Sequence, residues 1–105
     1  MTAASRRGRL DFEEINRAGL ASLPALLGRW LPDGRLVGDE YVALNPTRAD
    51  RRAGSFKVNV STGRWADFAV GDAGADAISL AAYLAGQTQY EAARALADML
   101  GVSRD

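Results

Sequence analysis

Apolar residues recur at helical spacing through the first third of the chain, at Phe12, Ile15, Leu20, Leu23, Leu26, Leu27, Trp30 and Leu31. Asp11 is placed as an N-cap and Glu14 follows three residues later, the spacing of a capping box. Gly19 and Pro24 argue against one continuous rod. Ser22 before Leu23-Pro24 restarts a helix, because proline is tolerated in a first turn, so the pattern predicts two helical pieces with a bend near Leu20 to Ser22. Leu31-Pro32-Asp33-Gly34 then closes the helical region with a turn.

Beyond Gly34 the period changes. Arg35-Leu36-Val37 and Glu40 to Leu44 flank Gly38-Asp39 as a short hairpin, and residues 45–54 form a polar, arginine-rich loop. Ser55 to Val60 alternates, with Phe56, Val58 and Val60 on one face and Lys57 and Asn59 on the other. Ser61-Thr62-Gly63 fits a tight turn with glycine in the left-handed position, and Arg64 to Ala69 reads as the return strand. Gly71 to Gly74 is expected to be a flexible link. Ile78 to Leu84 is a short apolar helix, with Asp76 as its cap and Gly86 as its stop. Thr88-Gln89-Tyr90-Glu91 is a capping box that opens a last helix ending at Gly101. Its stripe of Tyr90, Ala93, Leu96, Ala97, Met99 and Leu100 is assigned to the core, while the small residues Ala81, Ala82, Ala85, Ala92, Ala93 and Ala95 would also let another helix approach closely. The expected fold is α+β: a small antiparallel sheet of about four strands packed with N-terminal helices and two C-terminal helices. Helices would cover one sheet face and leave the other, with Lys57 and Arg64, open.

Length and composition narrow the chemistry. The 105 residues are read as a flexible basic arm over 1–10 and a single domain over 11–105. With no Cys and no His, disulfides, the usual zinc or haem ligands and the commonest general base are all missing. No apolar stretch is long enough to span a bilayer and the first residues lack an apolar signal region, so no membrane contact is expected and the expected location is cytoplasmic.

Net charge is zero, yet the charges are segregated. Residues 1–44 hold six cations and six anions, 45–66 five and one, and 67–105 two and six. The middle segment packs Arg48, Arg51, Arg52, Lys57 and Arg64 around the hairpin that carries Phe56 and Trp65. Cations among aromatics on a small sheet suit a nucleic-acid strand, because charges meet phosphates and rings stack on bases. Arginine also pairs bidentately with phosphate. Two readings of the loop stand: phosphate contact, or a solvated loop paired with Asp50 or the acidic C-terminal third. Trp65 is either a stacking platform or core, and strand alternation places it and Phe56 in the core.

The order of pieces from about Leu23 to Val102 resembles the N-terminal zinc-ribbon domain of bacterial DNA primases. It is more similar still to cysteine-free versions at the front of Toprim-containing primase or primase-helicase proteins of phages, plasmids and integrative elements. In the zinc-containing family a Cys-Pro-x-His element precedes a Ser-Phe-x-Val strand, and Cys-x-x-Cys follows the return strand. Here those places read Asn45-Pro46-Thr47-Arg48, Ser55-Phe56-Lys57-Val58 and Asp67-Phe68-Ala69-Val70, with Gly71 to Gly74 as the Gly-rich turn and Gly86-Gln87-Thr88 at the last helix start. The four ligand places, Asn45, Arg48, Asp67 and Val70, offer neither thiolate nor imidazole, so no metal and no cofactor is expected. A structural zinc contributes about 10–16 kcal/mol in small fingers. Burial of Trp30, Tyr41, Phe56, Trp65, Phe68 and Tyr83 is expected to replace it, with Asn45 and Asp67 holding the old knuckle turns through bonds to backbone.

The resemblance implies a non-catalytic module of a DNA primase or replication protein of a mobile element, contacting single-stranded or template DNA through Arg48, Arg51, Arg52, Lys57 and Arg64. The alternative is a protein-interaction module that docks a primase, helicase or other replication protein. Asp67, Asp72 and Asp76 invite a Mg²⁺ reading, but turn formation and a helix cap explain them. A Toprim centre needs Asp-x-Asp, which this chain lacks, so no catalytic residue is assigned.

Overall fold

The computed structural model describes residues 10–47 and 55–102. Helix α1 (Phe12–Ala21) starts at Asp11, whose side chain accepts the Glu14 N–H at 3.1 Å. Ser22 ends α1 and begins α2 (Leu23–Trp30), bonding back to the Ala18 and Gly19 carbonyls at 3.2 Å, with Pro24 in the new first turn. The bend therefore lies where the Ser-Leu-Pro signal places it. The Tyr41 hydroxyl donates to the Leu31 carbonyl at 2.8 Å, a second bond at this helix end beside the Gly34 N–H that the same carbonyl accepts at 3.0 Å.

Five strands follow in an antiparallel sheet of order β1-β2-β3-β4-β5: β1 (Arg35–Val37), β2 (Glu40–Ala43), β3 (Phe56–Asn59), β4 (Trp65–Asp67) and β5 (Asp72–Gly74). The fold is α+β, as the pattern of the chain predicts. One strand was not anticipated. The segment expected to be a flexible link is β5, which pairs Asp72 with Asp67, Ala73 with Ala66 and Gly74 with Trp65. Its glycine has a packing reason: a Cβ on Gly74 would lie 2.6 Å from Ser79 Oγ and collide with the Trp65 indole. Turn chemistry pins the β3–β4 hairpin, where Gly63 takes φ +85° and Asn59 Oδ1 accepts the N–H groups of Ser61 and Thr62 at 2.9 and 3.0 Å.

Helix α3 (Ala77–Ala85) and helix α4 (Gln89–Leu100) each open on a complete capping box, Asp76 with Ser79 and Thr88 with Glu91. Gly86 and Gly101 end them at φ +66° and +72°, the left-handed region that glycine enters without steric cost. Helix α1 locks onto the start of α3. Asn16 Oδ1 accepts the Ile78 N–H at 2.9 Å, and Gly19 approaches so closely that a Cβ there would lie 2.7 Å from Ala77 Cβ.

The helices bury one face of the sheet. Leu23, Leu27, Leu31 and Leu80 pack on Ala43, Phe56, Val58 and Trp65, while Ile15, Leu26, Ile78 and Leu96 close the helix-to-helix side. Two expectations about the core change. Tyr90 and Met99 are 51% and 45% exposed, because α4 docks through Ala92, Ala93, Leu96 and Ala97, so the middle of the stripe is core while these two lie outside the contact. Phe68, expected to be buried, is 72% exposed. Trp65 and Asp67 take the inward positions of β4, so alternation turns Ala66 and Phe68 to the other side. No helix among the described residues is long and apolar enough to cross a membrane.

Candidate nucleic-acid interface

The two sheet faces have opposite chemistry because the strand period is two. On the covered face Phe56, Val58 and Trp65 are buried, and the Trp65 indole N–H donates to Ser79 Oγ at 3.0 Å. Trp65, Phe56 and Tyr83 form one aromatic cluster, with ring centroids 4.6 to 6.1 Å apart. Trp65 and Phe56 thus belong to the core, as alternation requires.

On the open face Lys57 stands opposite Ala66, which in turn pairs with Ala73 on β5. These two alanines make a low floor, and Lys57, Arg64, Asn59 and Phe68 stand around it, lining a shallow depression of about 410 Å³. Lys57 Nζ lies 5.8 Å from the Phe68 ring centroid, within cation–π range. Asn59 donates to Glu40 Oε2 at 3.0 Å, so this carboxylate at the rim is engaged by an amide. An accessible aromatic ring near Lys57, with Arg64 on the rim of the same depression and small residues that leave room for a planar group, can stack a base while the charges meet its phosphates.

Of the five cations singled out in the sequence, Lys57 and Arg64 come together around this depression. Arg48, Arg51 and Arg52 lie outside the described residues. Phe68 is the functional candidate that sequence reasoning missed, because it was counted among the aromatics whose burial replaces the zinc. The signal was present in the alternation from Trp65 through Asp67, provided that Asp67 is placed inward.

Asp67 does point inward, and it anchors a second feature. Asn45 is 1% exposed and Asp67 fully buried, and Asn45 Nδ2 donates to Asp67 Oδ2 at 2.7 Å and to the Tyr83 hydroxyl at 2.9 Å. Each also closes a local turn: Asn45 Oδ1 accepts the Thr47 N–H at 2.8 Å, and Asp67 Oδ1 accepts the Ala69 N–H at 2.9 Å. The Tyr83 hydroxyl donates on to Asp72 Oδ2 at 2.8 Å. Bonds to backbone were expected of Asn45 and Asp67; their bond to each other and to Tyr83 was not.

These residues do not fit a zinc ion. Asn45 presents its amide hydrogens, not a lone pair, to Asp67 and Tyr83, and Val70 offers an exposed apolar side chain. The three aspartates weighed for Mg²⁺ serve other partners: Asp67 as above, Asp72 with Tyr83, and Asp76 at the α3 cap. Among the described residues, no group of three or more His, Cys, Asp or Glu side chains is placed to hold a metal.

No protein-family model matches the chain, and no curated protein is significantly similar to it.

Proposed function

We propose that this domain is a non-catalytic, zinc-free relative of the primase zinc ribbon that binds single-stranded or template DNA in cytoplasmic replication of a mobile element. The observation that carries this reading is the open sheet face, where Phe68 is exposed near Lys57 and Arg64 lines the same depression over the Ala66–Ala73 floor. A lone exposed ring is ordinary on a protein surface. Its company is not: a ring and two cations share one depression on a sheet whose other face, from β2 to β4, packs against the helices. Arg48, Arg51 and Arg52 complete the basic set in the segment between β2 and β3.

If all five cations met phosphates of one strand, the slope of log affinity against log salt would approach about −3.5. Binding is then modest and strongly salt-dependent. Fluorescence anisotropy with a labelled single-stranded oligonucleotide at low salt tests this directly. Saturable binding that weakens in the Arg51→Ala, Arg52→Ala double variant is expected, and no binding below about millimolar would refute the reading.

The alternative, docking of a primase, helicase or other replication protein, draws on a different surface. Trp30, Leu84, Ala85, Ala95 and Met99 line an apolar groove of about 340 Å³ on the helical side. Retention of a replication protein that persists after nuclease treatment and is lost in Met99→Lys would favour it over DNA binding.

A further inference from the structure

The strand register carries the open face well beyond the depression around Phe68. Residues paired across antiparallel strands share a face, so Arg35 with Val42, Val42 with Lys57, Lys57 with Ala66 and Ala66 with Ala73 set one continuous row from β1 to β5. Lys57 lies between the buried Phe56 and Val58 and therefore stands on the open side, and Arg35 stands there with it. Arg35 is exposed, and among the described residues neither it nor Lys57 nor Arg64 forms an ion pair. Glu40 occupies the neighbouring row between Val37 and Asn59, and its carboxylate accepts Asn59 Nδ2 at 3.0 Å. The other strand carboxylates belong to the covered side, where Asp67 is buried and Asp72 accepts the Tyr83 hydroxyl at 2.8 Å. The row that holds Arg35 and Lys57 thus contains two cations and no anion.

A single charge on an edge strand is an ordinary guard against strand addition. Arg35 differs in its alignment. Neighbouring strands lie about 4.8 Å apart, which puts the Arg35 Cα about 10 Å from that of Lys57 and makes the row about 19 Å long. The longest strands, β2 and β3, have four residues and run only about 13 Å. A chain of phosphates laid across the β-strands meets Arg35, then Lys57, then Arg64 and Phe68 beside β4. We propose that single-stranded DNA crosses the open face at right angles to the β-strands, with Arg35 on β1 holding a phosphate at the end away from Phe68. The inference rests on the single-strand reading of that face. Val42 is half-buried, and Ala66 and Ala73 are small, so the row between and beyond the cations is low enough for a backbone to pass. The Arg35 guanidinium presents a planar fork of donors that matches phosphate oxygens bidentately.

The test titrates the full chain with labelled oligothymidine by fluorescence anisotropy, from about 50 to about 200 mM salt. Wild type is compared with Arg35→Gln, Arg35→Lys and Arg94→Gln, the last an exposed cation of the helical layer, each checked for wild-type circular dichroism. Loss of one phosphate contact should make the slope of log affinity against log salt shallower by about 0.7. Arg35→Gln should then bind several-fold more weakly at the lowest salt, with the gap to wild type narrowing about 2.6-fold at the highest. Arg35→Lys should keep the wild-type slope, and Arg94→Gln should leave both slope and affinity unchanged. A wild-type slope in Arg35→Gln, with binding still weakened by Phe68→Ala, would overturn the crossing path and leave the reading of the open face intact. An equal drop in Arg94→Gln would also overturn it, because a diffuse field would then account for the loss. A wild type that binds no oligonucleotide would end both. Chemical-shift mapping on the ¹⁵N-labelled wild type needs no variant: the amides of Arg35 and Val42 should shift together with those of Lys57 and Phe68, and shifts confined to β3, β4 and β5 would overturn the path.

Discussion

Replacing Phe68 by alanine separates binding from folding. Phe68 is 72% exposed, so only about a quarter of a ring residue's roughly 200 Å² is covered, and at about 25 cal/mol per Å² its truncation costs about 1 kcal/mol of stability. Phe56, on the adjacent strand but facing the helices, is fully buried against Trp65 and Tyr83. Its truncation should cost about 3–5 kcal/mol. Binding should rank the other way for Phe68. Loss of one base-stacking ring is worth about 1–3 kcal/mol, or roughly a 5- to 150-fold weaker complex with single-stranded DNA. Urea unfolding followed by tryptophan fluorescence gives the stabilities, and anisotropy titration with a labelled oligothymidine gives the affinities. A Phe68→Ala variant that binds within about twofold of wild type would refute the stacking role. One that loses as much stability as Phe56→Ala would refute the assignment of Phe68 to the open face.

Gly74→Ala should destabilise by about 1–3 kcal/mol in urea, because the new methyl meets the Trp65 indole and Ser79 Oγ instead of open space. Gly28, in α2, has nothing within reach of an added Cβ, so Gly28→Ala should raise the unfolding free energy by about 0.4–1 kcal/mol in the same assay. Asp76→Ala removes the acceptor that holds the Ser79 N–H at 2.8 Å and should lower the unfolding free energy by about 1 kcal/mol, read from the shift in urea midpoint.

Most of the element order was legible because its signals are local. Asp11, Asp76 and Thr88 start helices through bonds to residues three positions away, and Gly63, Gly86 and Gly101 end or turn segments through their own backbone torsions. The Ser22-Leu23-Pro24 restart works for the same reason. Misreadings arose where a neighbour in space decides. Gly71 to Gly74 carries a composition typical of linkers, and only the pairing with β4 and the indole lying beside Gly74 make it a strand. Tyr90 and Met99 fit an apolar stripe whose Ala93, Leu96 and Ala97 are buried, but the way α4 docks on the neighbouring helices leaves these two exposed.

The candidate site divides in the same way. The basic character of residues 45–66 and the outward position of Lys57 follow from residue identity and a period of two. The exposure of Phe68 depends on Asp67 being drawn inward by Asn45, a partner 22 positions distant, and Asn45 in turn reaches Tyr83 across 38 positions. Sequence by itself determined the α+β class, the helix caps, the turns and a concentration of cations in the middle of the chain, since each needs only near neighbours or composition. Tertiary structure alone decided which ring faces water, and it joined a buried amide and carboxylate to each other and to a half-buried phenol. Those outcomes depend on which sheet face the helices cover and on long-range bonds that no local pattern encodes.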